Sequence, residues 1–253
     1  MTSAIYLKEA KYEFLMRLRV KAFSVSVIGF PLLFYVLFGI LMNQSWGPIR
    51  MSTYLLATYG VFGVAGVSLF GFGVGLAIER GMGWLELKQA SPMPPPAYFF
   101  AKLVCCIVFS IALIVLMLAL GLSFGHAQIS PLAMLQLFGI LMAGALPFGA
   151  LGLLLGYLLP ASSAPSFVNM IFLPMSFCSG LWMPLEFLPK TVRAIAPFLP
   201  TYHLSQIAIA VVRGDHNNSA LSHWEALAAF TLFFLGLAVL LQRRDATRQN
   251  SVA

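Results

Sequence analysis

Charge is what this sequence has least of. Of 253 residues, 15 are Lys or Arg and 8 are Asp or Glu, so 9% of the chain is charged, against about 25% in an ordinary soluble domain. So few charges cannot wet the surface of a globule of this size, which excludes a soluble enzyme and a disordered chain. Cysteine is scarce as well. Cys105, Cys106 and Cys178 are an odd number, each in an apolar run. That excludes a secreted disulfide scaffold, and the three read as small core residues with no redox or metal role. Nucleotide and metal motifs are missing too. No G-x-x-x-x-G-K-[ST] loop occurs, so the chain lacks the usual cradle for ATP phosphates. His126, His203, His216 and His223 show no H-E-x-x-H or C-x-x-C spacing. Ser179-Gly180 with His203 lacks a residue to orient the imidazole, which leaves serine-hydrolase chemistry unsupported.

What the chain does have is apolar length: 60% hydrophobic residues and a mean hydropathy of +0.90. Leu103–Leu185, Ala22–Ile49 and Met51–Ile78 contain no Asp, Glu, Lys or Arg. A spanning helix needs about 20 mostly apolar residues. The long run divides at Ser123–Pro131 and Pro160–Pro165, both rich in turn residues. Six spans result: Ala22–Met42, Tyr54–Ile78, Leu103–Leu122, Leu135–Leu159, Phe167–Met183 and Trp224–Leu241. The last opens on Ser222-His223-Trp224-Glu225, which fits a capping box. The runs are continuous and do not alternate, so they read as helices and not barrel strands. A cleaved signal peptide is not expected, since the first apolar stretch is too long for one.

With the N-terminus inside, the inner segments hold Lys8, Lys11, Arg17, Arg19, Lys21, Arg80, Lys88, Lys102, Arg243, Arg244 and Arg248. The outer ones hold only Arg50, Lys190, Arg193 and Arg213. This asymmetry sets both ends inside. It also absorbs the net charge of +7, so no nucleic-acid partner is needed to explain it. Ile5–Lys21 reads as an interfacial amphipathic helix, with Leu7, Ala10, Phe14 and Leu18 on one face and Glu13 and Arg17 as an i,i+4 pair on another. It is either a plain anchor or an elbow that also touches a partner. In the inner loop 79–102, Trp84-Leu85-Glu86-Leu87 suggests a short helix ended by the prolines after Ser91, and Tyr98-Phe99-Phe100 an aromatic belt. In the outer connection 184–222, two short helices begin near Pro189 and Pro200, the second closed by Arg213-Gly214. Neither is long enough to span, so both are expected to dip back into the bundle. Gly71/Gly75 and Gly152/Gly156 match G-x-x-x-G, a signature of close helix packing or of a hinge.

The expected bilayer interior holds no ionisable residue. Ion and proton pathways usually need them, so an antiporter is hard to build from this inventory. Ser24, Ser26, Thr58, Ser68, Ser166, Asn169 and Ser176 remain as polar groups. Each is an interhelical hydrogen bond or a substrate contact, with Thr58, Ser166, Asn169 and Ser176 as pathway candidates.

Two stretches carry a family resemblance. The first is Glu79-Arg80, Gly83-Trp84-Leu85-Glu86, Ser91-Pro92 and Lys102. The second is Ser179-Gly180, Pro184, Glu186, Leu188-Pro189, Pro200-Thr201-Tyr202 and Arg213-Gly214. In both, and in the layout of the whole chain, the sequence resembles the membrane subunits of type-2 ABC transporters, the bacterial six-span export permeases. It departs from them with Trp84 where Thr is common and Ser91 for Thr. The resemblance implies one all-α transmembrane permease domain over 1–253, with an elbow helix (5–21), a cytoplasmic coupling loop (79–102) and an outer gate region (184–222). It implies a second permease subunit, a copy or a close relative, and separate cytoplasmic ATPase subunits that carry ATP and Mg; the chain itself then needs no cofactor and is no enzyme. Glu79, Gly83, Trp84, Leu85, Glu86 and Pro92 would couple to the ATPase. Ser179, Gly180, Pro184, Glu186, Pro189, Pro200 and Tyr202 would form the outer gate. The expected location is the bacterial inner membrane, with an amphipathic, drug-like or lipid-linked substrate moved outward. A passive channel or a structural scaffold without an ATPase is the rival expectation, and so is a plain solvated connection for the loop.

Overall fold

The structure is a computed structural model, and it describes residues 2–42, 45–46, 49–90, 93–215 and 220–250. It is built from helices. α1 (Thr2–Arg19) leads through a break at Val20 into α2 (Lys21–Phe34), which continues as a π-helical stretch Tyr35–Leu41. A two-residue antiparallel pair, β1 (Ser45–Trp46) and β2 (Ile49–Arg50), turns the chain. A helical run then passes through α3 (Met51–Ser68), a π-helical stretch Leu69–Val74 and α4 (Gly75–Gly81). After α5 (Trp84–Ala90) come α6 (Pro95–Ser123), α7 (Pro131–Leu158) and α8 (Ala164–Cys178). Short α9 (Lys190–Ile195) and α10 (Pro200–Arg213) precede α11 (Ala220–Asn250).

Among the described residues, five helices are long and apolar enough to cross a membrane: Phe23–Leu41, Met51–Gly81, Pro96–Ser123, Pro131–Leu158 and Ala220–Arg244. Run Met51–Gly81 is the axis of the bundle. Every residue of α3 is buried, whereas α2 and α11 leave Leu33, Leu37, Leu232 and Phe233 exposed, as lipid-facing helices do. Proline and serine chemistry starts several helices: Pro131 sits at the first position of α7, and the Ser130 hydroxyl accepts from Ala133 N.

Several expectations are corrected. The fifth expected span, Phe167–Met183, is not a full helix. α8 stops at Cys178, because Gly180 has φ +75 and Leu181–Met183 bend away. Its 15 residues reach about 22 Å, short of the roughly 30 Å hydrocarbon core. α11 includes Ser222 within it, so that serine does not cap it. The two short outer helices expected near Pro189 and Pro200 are present and form a bent pair, Lys190–Phe198 and Pro200–Arg213, at 95°. In the interfacial helix Leu7, Tyr12 and Leu18 are exposed, while Ala10 and Glu13 are buried and Phe14 packs on Phe109. The G-x-x-x-G glycines of α7 lie at close approaches. A Cβ on Gly152 would meet Ser68 O at 3.0 Å and Gly73 N at 3.2 Å, and one on Gly156 would meet Gly73 O at 3.0 Å. The close approach is therefore between α7 and the π-helical stretch at Gly73. Gly71 instead faces Cys106, and Gly75 faces Arg17.

Candidate functional site

Two ends of the bundle hold the residues that the sequence singled out, with a cavity between them. At the end that carries α1, the chain gathers an ion network. α1 supplies Glu9, Glu13 and Arg17, α4 supplies Glu79, α5 Lys88, and α6 Tyr98 and Lys102. Lys102 Nζ donates to Glu13 Oε1 at 2.9 Å and to Glu79 Oε1 at 2.7 Å. Arg17 donates to Glu79 Oε1 at 2.9 Å and to Glu13 Oε1 at 3.2 Å, and the Tyr98 hydroxyl to Glu79 Oε2 at 2.7 Å. Lys88 Nζ reaches Glu9 Oε1 at 2.7 Å. Lys102 is 1% exposed, so its charge is tolerable only because it is paired. Burial works to raise the Glu13 carboxyl, but the Lys102 and Arg17 cations outweigh it and hold the group below the ordinary carboxylate range. Burial likewise works against the Arg17 charge, and Glu13 and Glu79 more than offset it, raising the guanidinium. Gly75 makes room for this: a Cβ there would sit 2.0 Å from Arg17 Nη2.

The network changes the reading of the loop residues. Glu79, expected to seat in a partner's groove, is turned into the protein and satisfied there. Tyr98, expected in an aromatic belt, is buried in the same cluster. The exposed groups are Met82, Trp84 and Leu87, while Leu85 packs with Leu76, Tyr98 and Tyr157. Gly83 takes φ +73 in the turn before α5. Ser91 and Pro92 lie outside the described residues, as does the Glu86 side chain. Neighbouring Arg80 donates to Tyr157 O. In the sequence Lys102 is a loop end and Glu13 with Arg17 an i,i+4 pair; the fold adds partners 23 to 89 residues away. The one available signal was Lys102 itself, a lysine set between Phe99-Phe100-Ala101 and Leu103-Val104-Cys105.

At the opposite end, α8, the turn after it and α10 are stitched by hydroxyls. The Ser179 and Thr201 hydroxyls bond to each other, Thr201 donates to Met175 O, Ser205 to Ser179 O, and Tyr54 OH to Gly180 O at 2.9 Å. Ser179, Gly180, Pro184 and Pro200 are buried, while Glu186 and Pro189 are exposed. Leu204 of α10 fills the space over Gly144 of α7. Tyr202 lies beside a pair the sequence did not reveal: His203 Nδ1 and His223 Nδ1 are 2.9 Å apart, and His203 Nε2 is 2.8 Å from Pro197 O. Among the described residues, no three His, Cys, Asp or Glu side chains gather as a metal site would need.

Between the ends, α2, α3 and α8 line an open cavity of about 350 Å³, at which Ser26, Phe30, Asn169 and Leu173 are exposed. Phe23, Phe30, Phe62, Phe70 and Phe172 line it with rings, Ser26 and Asn169 with polar groups, and no ionisable side chain is among its lining. Of the four pathway candidates, Asn169 lines this cavity. Thr58 is buried with no hydrogen-bond partner among the described residues, Ser176 is tied to Phe172 O at 2.6 Å, and Ser166 is exposed on α8.

The arrangement is two tied ends around an open, aromatic-lined cavity. Comparison with known proteins agrees with a transport role. A protein of Bacillus subtilis (strain 168) named "Putative transport permease YvfS" is 27% identical over 232 residues, covering 90% of this chain and 93% of its own. The family model described as ABC-2 family transporter protein matches residues 48–240, and the chain belongs to that family of multi-pass membrane transport permeases.

Proposed function

We propose that the chain is the permease subunit of an ATP-driven exporter, paired with a second permease subunit and with separate cytoplasmic ATPase subunits. One observation carries this reading. Short α5 presents Trp84 and Leu87 to the outside, beside Met82 of the preceding turn, while Lys88 and Leu85 tie it to α1 and α6. An exposed apolar ridge on a helix linked to the bundle is what a motor subunit needs to grip, since buried apolar side chains anchor interfaces. Glu79 then acts inside, as a tie between helices. α8, extended by the turn at 179–183, completes the sixth crossing, and the bent α9–α10 pair dips back as the outer gate. Both termini lie on the cytoplasmic side of the inner membrane, following the distribution of Lys and Arg.

The cargo enters the chamber of α2, α3 and α8. Its five Phe rings suit an apolar or aromatic body, and Asn169 and Ser26 suit a neutral polar group. The absence of an ionisable lining disfavours a charged moiety at this point.

The test is co-expression with a candidate ABC ATPase subunit. Purified together in lipid, the pair should hydrolyse ATP and move an amphipathic dye or lipid analogue. Leu87→Arg should lower association with the ATPase by tenfold or more and leave membrane insertion unchanged. A chain that never binds an ATPase, or that passes solute in pure liposomes without nucleotide, would instead be a passive channel or a scaffold.

A further inference from the structure

The ion network has two tiers, and they differ in a way that assigns them different jobs. The inner tier is Glu13, Glu79, Arg17 and Lys102, whose side chains are 2%, 7%, 11% and 1% exposed. It carries two negative and two positive charges, and it fixes α1, α4 and α6 to one another. Opening it would strand a buried charge, which costs several kcal/mol. The outer tier is Lys88 with Glu9, at 22% and 20% exposure. It is neutral by itself, so it can open without leaving net charge in the inner tier. Its groups regain water on opening, which keeps the cost of separation small.

The backbone agrees. α5 is seven residues long. On one side it meets the turn at Gly83, whose φ of +73 is a conformation that glycine adopts freely. On the other side Pro94 is extended (φ −60, ψ 131). A short rigid helix between two non-helical joints turns as a unit. Lys88 Nζ also lies 4.0 Å from Glu13 Oε2 and 4.7 Å from the centre of the Tyr98 ring, so it touches the block at a place where α1 and α6 meet.

We propose that Lys88 is a positioning residue, and that its pair with Glu9 is the breakable joint between α5 and a rigid block of α1, α4 and α6. The joint sets the posture in which α5 meets a motor subunit; that last clause rests on the reading under Proposed function. Rotation of α5 trades the Lys88–Glu9 contact for water, while the inner tier stays closed and carries the motion into the long helices.

The joint is tested in the full chain in lipid nanodiscs. Leu7→Cys and Leu87→Cys carry nitroxide labels, because both sites are exposed; Cys178→Ser removes the one native thiol that is not buried. Pulsed electron-spin measurements should give one main α1–α5 distance. Lys88→Gln should raise the share of a second distance about fivefold, the size expected when a partly exposed ion pair is lost. Glu9→Gln should do the same, the double variant should add nothing further, and Lys88→Arg should keep the original distance. Lys102→Met is the contrast, and should lose folded protein. An unchanged distribution in Lys88→Gln, or a shift in Lys88→Gln that Glu9→Gln does not share, overturns the proposal. Lys88→Gln and Glu9→Gln without the labels at Leu7 and Leu87, bound to the ATPase, should each change cargo-stimulated turnover, and Lys88→Arg should not. A chain with no ATPase partner sinks the functional reading, while the spin measurement still judges the joint.

Discussion

At the scale of single residues, the absence of a side chain does as much here as its presence. Gly152 lets the α7 backbone come against Ser68 O and Gly73 N. A methyl group there would meet backbone, which cannot swing aside as a side-chain tip can. Gly139, on the same helix, has nothing within 4 Å of such a methyl. Gly152→Ala should therefore lower the melting temperature in detergent, by a loss on the order of 2 kcal/mol. Gly139→Ala should leave it unchanged or raise it slightly, through better helix propensity worth up to about 1 kcal/mol. Equal effects at both sites would remove the packing argument. The sequence showed the G-x-x-x-G spacings, but spacing along one helix does not say which neighbour approaches. That partner is a π-helical stretch from elsewhere in the chain.

At the scale of elements, α10 is a helix too short to span, held by hydroxyls as well as by apolar burial. The buried Ser179 hydroxyl is satisfied by Thr201, so losing the Thr201 hydroxyl strands it, whereas Thr201 also donates to Met175 O. Thr201→Val should cost about 1–3 kcal/mol and should speed amide exchange in α10. The double variant Ser179→Ala with Thr201→Val should cost less than the sum of the singles, since removing both members leaves no orphan. A strictly additive pair would mean that the bond contributes nothing. The existence of α9 and α10 was legible from Pro189, Pro200 and the apolar residues Leu204, Ile207 and Ala208. The stop of α8 at Cys178 was not. It follows from the backbone at Gly180, where the sequence also allowed an uninterrupted apolar helix to Met183.

At the scale of the whole molecule, the two ends are closed by different forces, and acid tells them apart. The Glu13 carboxyl is held below its ordinary range, by cations that outweigh its burial. A depressed folded value means that its contribution to stability is complete above the unfolded value and is lost as pH falls through the folded one. The melting temperature should therefore stay level from neutral pH to about pH 5 and drop below that, while Glu13→Gln, less stable at neutral pH, should show a smaller acid slope. The far end answers acid through a different contact, the His203–His223 pair, because two protonated imidazoles repel. Glu13→Gln should therefore flatten the acid loss of protection in α1 and leave that in α10 as it was; equal flattening at both ends would contradict the separation.

The sequence by itself determined that the chain lies in a membrane, that it does so as helices, and which residues make the long apolar ones, because composition and run length are local properties. It also pointed to the two motif regions. It did not determine what those motifs touch. Glu79 reads as a loop acid in the sequence and is a buried tie in the fold; Glu13 and Arg17 read as a pair on one helix and are joined there by Glu79 and Lys102. Only tertiary structure decided this, because Lys102, Glu13, Arg17 and Glu79 tolerate burial as a set and not singly. Pairing between helices across 23 to 89 residues of chain leaves no period in the sequence from which it could be read.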